Sequence, residues 1–195
     1  WADLDVAARH LAQWDAVVAL ARAPGTLVTS SAGRLFDAVA ALTGVRDTTT
    51  YEGQAAVELE QRVDPDEHGS YPVSGRRDGV VPAGELVAAV VEDVRAGVDT
   101  GRIAARFHHG LADATVRAVA AAAAEHGVAT AALSGGAFVN LVLLERVRRG
   151  LEATGMRVLV HERVPAGDGG ISLGQAVVAA ARDTVETGEG DRWGP

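Results

Sequence analysis

The chain's 195 residues, 48% of them hydrophobic, suit one domain with a sizeable core, or one domain with a trailing arm. A formal net charge of −8, with basic residues grouped only in pairs such as Arg76-Arg77 and Arg148-Arg149, disfavours nucleic acid as the main partner. The absence of cysteine excludes disulfides, thiolate metal sites and a cysteine nucleophile, and no uncharged, glycine-free run of about 18 apolar residues is present to span a membrane.

Aromatic residues make up only 4%, so alanine and valine must carry the burial, which favours closely packed helices against β-branched strands. The N-terminus has no basic-then-apolar signal pattern, and the expected location is cytoplasmic. The first residue is Trp1 rather than methionine, as expected of a fragment of something longer.

Residues 3–22, "DLDVAARHLAQWDAVVALAR", place Leu4, Ala7, Ala8, Leu11, Trp14, Val18 and Leu20 near helical spacing, and Pro24-Gly25 ends the pattern. A second helix is expected over 31–43, closed by Gly44 at the C′ position, and a third from Glu52 to Val63. "DPDEHGS" reads as a loop, and "YPVSGRRDGVV" has too many breakers for more than short strands. Pro82 suits the first position of a helix running to Arg95, where a missing N–H costs little. The longest helical pattern covers 101–126 and stops at Gly127. "VATAALS" and "RVLVHE" read as two buried parallel strands, with a helix at 137–154 between them and another at 170–182 after them. Strand, helix, strand, helix with short glycine turns marks a parallel α/β layer. The tail is polar, with Trp193 as its one residue suited to docking, and no internal repeat is present.

Ser134-Gly135-Gly136 follow the first strand. Backbone N–H groups at such a turn, with a helix dipole behind them, suit an anion, and glycine lets a phosphate approach closely. Glycine placed there for packing alone is the competing reading. "VPAGDGGISLGQA", residues 164–176, is a second turn of the same kind. Asp168 within it reads in two ways: as a cap on the following helix, or as an oxygen ligand for a hard cation. Two such turns at the carboxyl ends of parallel strands would face the crevice where open α/β sheets bind ligands.

Arg34 and Asp37, at i and i+3, suit an ordinary helix-surface ion pair. Glu58 and Glu60 do not share a helix face, which argues against a paired-carboxylate acid/base site. His108 and His109 diverge by about a right angle on a helix, so His108 reads as a packed core residue rather than a metal ligand. His10, His68, His126 and His161 make no ligand spacing with one another. Nucleophile-elbow and Walker motifs are both missing. From the residues alone the chain is an α/β domain with a candidate nucleotide crevice.

Five blocks taken together say more. "TSSAGRLFDAVAALTG", "YEGQAAVELE", "ARFHHGLADA", "ALSGGAFVN" and "VPAGDGGISLGQAVVAA", in this order and spacing, resemble the HypF carbamoyltransferase family, whose members mature nickel–iron hydrogenases. The resemblance spans roughly residues 20–182. It implies that residues 1–183 form the C-terminal lobe of the family's threonylcarbamoyl-transferase-like domain, followed by a polar tail at 184–195. The implied fold is an actin-like ATPase (ASKHA, ribonuclease-H-like) α/β lobe: a parallel sheet layer with flanking helices and a helical N-terminal part.

The implied activity uses ATP and carbamoyl phosphate, through carbamoyl-adenylate, to carbamoylate the C-terminal cysteine of a HypE-like partner on the way to a cyanide ligand. The absence of cysteine here agrees with that scheme, since the thiol lies on the partner. By the same resemblance Ser134, Gly135 and Gly136 line the phosphates or adenosine, Asn140 touches the nucleotide, and Thr29 and Gly44 match positions that hold ribose or base. Asp168 matches a carboxylate ligand of an active-site divalent metal (iron, zinc or magnesium) whose histidine ligands lie upstream, outside this chain. The mechanism implied is nucleophilic acyl transfer, with the metal polarising a carbonyl or clamping a phosphate and backbone donors holding the oxyanion. No catalytic side chain is assigned. Expected partners are the HypE-like protein and upstream domains of the same enzyme, with a homodimer allowed and neither nucleic acid nor membrane involved.

Two departures from the family pattern matter. The histidine cluster is not in this chain, and "HH" at 108–109 is not it, so the isolated chain is expected to be inactive. The family's "PxND" turn reads "PAGD", with Gly167 in place of an asparagine. Other readings are O-carbamoyl transfer in natural-product tailoring, threonylcarbamoyl transfer to tRNA, a sugar-kinase-like activity, and a non-catalytic docking or dimerisation lobe. The last predicts an exposed apolar patch. "GRLFDA" and "YEGQAA" resemble HypF rather than the tailoring or tRNA enzymes, and the weak basic character counts against tRNA.

Overall fold

The computed structural model describes residues 1–76 and 79–186. The N-terminal helical pattern breaks at His10 (φ −118°, ψ 28°), giving α1 (Asp5–Arg9) and α2 (Leu11–Arg22). Leu4 and Ala7 are buried, and the Arg9 guanidinium forks onto Asp47 while also donating to the Ala41 carbonyl. Helix α2 buries no side chain, and Leu11 and Leu20 are 77% and 66% exposed. Periodicity thus gives the right conformation there, but the apolar stripe is not covered.

Helix α3 (Ala32–Leu42) starts where the Ser31 hydroxyl accepts the Arg34 N–H, and it ends as expected with Gly44 at φ +74°. Helix α4 (Gln54–Gln61) is shorter at both ends than the Glu52–Val63 expectation. Helix α5 (Gly84–Arg95) leaves Pro82 outside: Ala83 caps it, and the Pro82 carbonyl accepts the Glu85 N–H, so the proline precedes the first turn rather than opening it. Helix α6 (Thr100–His126) is capped by the Asp99 carboxylate on the Gly101 N–H and closed by Gly127. At 27 residues it runs about 40 Å.

The core is organised on α6. Ile103, Ala104, Phe107, Leu111 and Ala112 are buried against Phe36, Val39, Leu59, Leu86, Val147 and Leu151. Phe36, Phe107 and His108 meet edge to face, with centroids 5.1, 5.2 and 5.7 Å apart. Among its described residues, the segment after the 64–70 loop lies across α6 as a strap rather than as the expected short strands, with an isolated bridge at Val80. The Tyr71 N–H donates to the Arg106 carbonyl, and the Tyr71 hydroxyl donates to Asp93, so its polar groups are satisfied by helices. Glu67 ties the same loop to Arg102 and Arg106. Its carboxyl is pushed down to about 2, first by the Gly69 N–H and then by the Arg102 guanidinium.

Strands β1 (Thr130–Ala132) and β2 (Arg157–Leu159) pair in parallel, Thr130 with Arg157 and Ala132 with Leu159, across the crossover helix α7 (Leu141–Ala153). They are not the buried strands expected. Only Ala131 and Val158 are turned to the helices, while Thr130, Ala132, Arg157 and Leu159 are exposed, because one face of the layer is covered and the other is not. Helix α8 (Ile171–Glu186) extends into the expected tail, and all its side chains from Ile171 to Asp183 are exposed. The rest of that tail, Trp193 included, lies outside the described residues. Arg148 and Arg149 are paired with glutamates on their own helix, and Arg76 with Glu125. No described helix is long and apolar enough to cross a membrane.

A Cβ added at Gly110 would sit 2.6 Å from the Tyr71 carbonyl oxygen, backbone that cannot swing aside. Gly110→Ala is therefore expected to lower the unfolding free energy by about 2 kcal/mol. Gly84→Ala, where a Cβ meets nothing, should be neutral or slightly stabilising. Urea denaturation midpoints of the two variants check this contrast.

Candidate functional site

A crevice of about 600 Å³ opens between the start of α3, the start and outer face of α4, and the two glycine turns. Ser134, Gly135, Gly136, Asn140 and Asp168 all line it, so five of the seven expected site residues are brought together. Thr29 and Gly44 are not. Thr29 sits in the exposed run before α3, where its hydroxyl accepts the Ser31 N–H. Gly44 lies at the opposite end of α3 from the crevice, about 15 Å away by helix rise, and its positive φ serves the helix terminus.

The first turn differs from expectation in an instructive way. Gly135, at φ +96°, donates its N–H to the Ala166 carbonyl at 2.8 Å, lacing the two turns together. A 3₁₀ turn over Gly136–Val139 follows, and α7 begins only at Leu141 rather than at 137. The N–H groups of Leu141 and Val142 donate to Glu60 Oε1 at 2.6 and 3.3 Å, and that of Leu143 to Asn140 Oδ1 at 2.8 Å. The anion at the positive end of α7 is therefore a carboxylate from α4. The dipole of α7 thus faces a carboxylate within the protein.

Glycine at 136 has a different explanation. Its φ is not positive, and a Cβ there would meet nothing within 4 Å, so neither backbone strain nor packing demands it. At Gly170, by contrast, a Cβ would be 2.7 Å from the Pro165 carbonyl oxygen, which is a packing requirement. The first turn is bare toward open crevice, and the second is bare against its own chain.

Asp168 opens a 3₁₀ turn (Asp168–Gly170), in which its backbone carbonyl accepts the Ile171 N–H at the start of α8. Its carboxylate is exposed in the crevice and fits the role of one oxygen ligand. Among the described residues no three histidine, aspartate or glutamate side chains converge on a metal position. Asp37, Glu52 and Glu60 also line the crevice, against a single cation, Arg34, whose guanidinium is 2.9 Å from Asp37. The Arg34–Asp37 pair is the one expected. Its position at the crevice mouth was not. Glu58 instead pairs with Arg46 on the other side of α4. The acidic lining suits hydroxyl donors and cations better than a bare phosphate.

His108 is fully buried, as expected of a core residue. Its Nδ1 lies 2.7 Å from the Ala104 carbonyl and its Nε2 accepts from Asn140 Nδ2 at 2.9 Å. Burial pushes its pKa down to about 4. His109 turns away to the Gly69 carbonyl, so the two imidazoles share nothing. His161, which makes no ligand spacing with the other histidines in the sequence, has its Nε2 2.9 Å from the Ser134 hydroxyl. Both stand two residues beyond the last strand pair, so the parallel register itself brings them together.

A family model described as carbamoyltransferase, Kae1-like domain, second subdomain, matches residues 3–175. The chain belongs to the HypF carbamoyltransferase family. It is 41% identical over 168 residues to a carbamoyltransferase HypF homolog of Cupriavidus necator, covering 80% of this chain and 42% of that protein. It is 40% identical over 161 residues to carbamoyltransferase HypF of Rhizobium leguminosarum bv. viciae, covering 79% of this chain and 20% of that one. A full-length HypF crystallised in phosphate- and nucleotide-bound form superposes with a TM-score of 0.78 at 36% identity, over 95% of this chain and 24% of its own. HypF of T. kodakarensis superposes with a TM-score of 0.73 at 30% identity, over 87% of this chain and 22% of its own. The chain thus spans between a fifth and two-fifths of these HypF relatives.

Two stability predictions follow from this HypF crevice. Glu60→Gln keeps an acceptor but removes the charge at the α7 terminus, and should cost about 1 kcal/mol by chemical denaturation. The folded-state pKa of His108 is depressed from 6.5 to about 4, so between those values the unfolded chain holds a proton that the folded chain lacks. Stability should fall as pH drops from about 6.5 to about 4, by up to ~3 kcal/mol from this group. His108→Gln should flatten that slope by about one proton in a pH series of denaturation curves.

Proposed function

We propose that the crevice holds the nucleoside end of an adenine nucleotide within a HypF-type carbamoyltransferase. The observation that carries this is Gly136, a glycine required neither by its backbone angles nor by its neighbours, and bare toward a crevice of about 600 Å³. Phe36, Ala56, Val57 and Val139 give that crevice apolar walls for a flat base, and Glu52 is placed to accept the hydroxyl hydrogens of a sugar. The backbone at 135–136 admits the ligand closely, because any side chain would fill that space.

The acidic lining means that phosphate charge is offset by something else. Asp168 would be one oxygen ligand of a divalent metal whose other ligands come from upstream histidines. Such a metal polarises a carbonyl or screens phosphate charge. In the proposed reaction water releases phosphate from carbamoyl phosphate, and an oxygen of the resulting carbamate attacks the α-phosphorus of ATP, expelling pyrophosphate and giving carbamoyl-adenylate. A thiolate from the C-terminal cysteine of a HypE-like partner then attacks the carbamoyl carbon, and the bond to the AMP phosphate oxygen breaks. The nucleophile belongs to the partner, in keeping with a chain that has no cysteine. The same proposal places the enzyme in the cytoplasm.

The uncovered stripes of α2 (Leu11, Val17, Leu20) and α8 (Ile171, Val177, Val178), with Leu27 and Val28 between α2 and α3, favour upstream domains of the same enzyme as their covering. They equally favour the second reading, a lobe that docks a partner or a second copy without catalysis. Nucleotide binding separates the two. Calorimetric titration of a non-hydrolysable ATP analogue with Mg²⁺ should show binding in the longest chain that carries this sequence. Gly136→Ala should weaken it at least tenfold (about 1.4 kcal/mol) with no change in the unfolding midpoint. If the unsubstituted chain gives no heat, or Gly136→Ala binds as well, the docking reading takes over.

A further inference from the structure

We propose that His108 is a positioning residue of the crevice: through Asn140 it fixes the first turn of α7 and the amide face that Asn140 turns to a ligand. Its Nδ1 faces the Ala104 carbonyl, which can only accept, so Nδ1 carries the hydrogen. In the neutral ring Nε2 then holds a lone pair and must accept. Asn140 supplies the donor through Nδ2, which leaves Oδ1 for the Leu143 N–H. The three bonds run in one direction, fixed at one end by the Ala104 carbonyl, which cannot donate, and at the other by the Leu143 N–H, which cannot accept. Phe36 and Phe107 hold the imidazole edge to face, so the ring does not turn over to relieve a mismatch.

After these bonds Asn140 retains one N–H and one oxygen lone pair, and it lines the crevice. A histidine retained only for packing would not need a directed bond to a crevice residue. Burial keeps the ring neutral at ordinary pH, in agreement with the geometry. The part of the inference that concerns a ligand rests on the nucleotide reading above. The part that concerns α7 does not.

The test uses His108→Leu, His108→Gln and Asn140→Asp in the longest chain that carries this sequence. ¹⁵N NMR of the unsubstituted protein should show the Nδ1–H tautomer at His108. His108→Leu should speed hydrogen exchange at the Leu143 amide at least tenfold, leave the Leu151 amide unchanged, and weaken binding of the ATP analogue at least fivefold. His108→Gln, whose amide can donate to Ala104 and accept from Asn140, should restore both. Asn140→Asp keeps the acceptor for Leu143 but removes the donor facing Nε2, and should convert His108 to an imidazolium visible in the same spectra. An Nε2–H tautomer in the unsubstituted protein, or unchanged Leu143 exchange in His108→Leu, overturns the proposal. Equal loss of protection along the whole of α7 does the same. If the unsubstituted chain binds no nucleotide, the functional reading fails while Leu143 exchange still decides the role of His108. Should His108→Leu not fold, the Asn140→Asp spectrum decides it.

Discussion

The start of α7 is where the demands of this fold meet. A helix beginning at Leu141 exposes N–H groups with no partner of their own, in a region that is half enclosed and cannot rely on water for all of them. Glu60 and Asn140 satisfy the first three, and Asn140 is held in turn by a histidine with no exposure at all. The arrangement joins α4, α6 and α7, and so sets the width of the crevice between the glycine turns and the α3–α4 wall. It also puts a carboxylate at the helix end where a ligand phosphate would otherwise be drawn. What remains open to a ligand is the bare backbone at 135–136 and the carboxylates of Asp37, Glu52 and Asp168.

Burial is distributed unevenly along the chain. The buried side chains gather around α6 as an axis even though aromatics are scarce. Small residues on α6, such as Ala104, Ala112 and Gly110, let helix and strap approach, while Phe36 and Phe107 supply the bulk at the one point where three elements converge. The first 30 residues and α8 are different: they are helical in pattern and largely uncovered. Both turn large apolar side chains to the surface, among them Leu11, Leu20, Ile171 and Val177.

Several features could be read from the sequence because they are local. Gly44 and Gly127 close their helices where predicted, and the parallel pair with its crossover helix follows from strand-length apolar runs separated by a helical period. His108 and His109 diverge because adjacent helix positions must. Other features could not be read, since they depend on which element lies opposite. Glu60 gave no sign of its role, because its partners are N–H groups 81 and 82 residues away. The 3₁₀ turn that delays α7 turns on a side chain from another helix capturing the N–H groups at 141 and 142. Gly44 lies at the end of α3 away from the crevice, and the Thr29 hydroxyl accepts the Ser31 N–H within its own turn.

The sequence by itself determined the family, the succession of helices and the strand pair, because ordered motif blocks, hydrophobic period and turn residues are all written along the chain. It also determined that Ser134, Gly135, Gly136, Asn140 and Asp168 belong to one place, since turns at the ends of adjacent parallel strands must be neighbours. Only the tertiary structure decided what that place is like. Whether a helix dipole faces a ligand or a glutamate, whether a glycine is bare toward a cavity or against a carbonyl, and whether an apolar stripe is covered are questions about distant groups brought within a few ångströms. No local pattern records those distances.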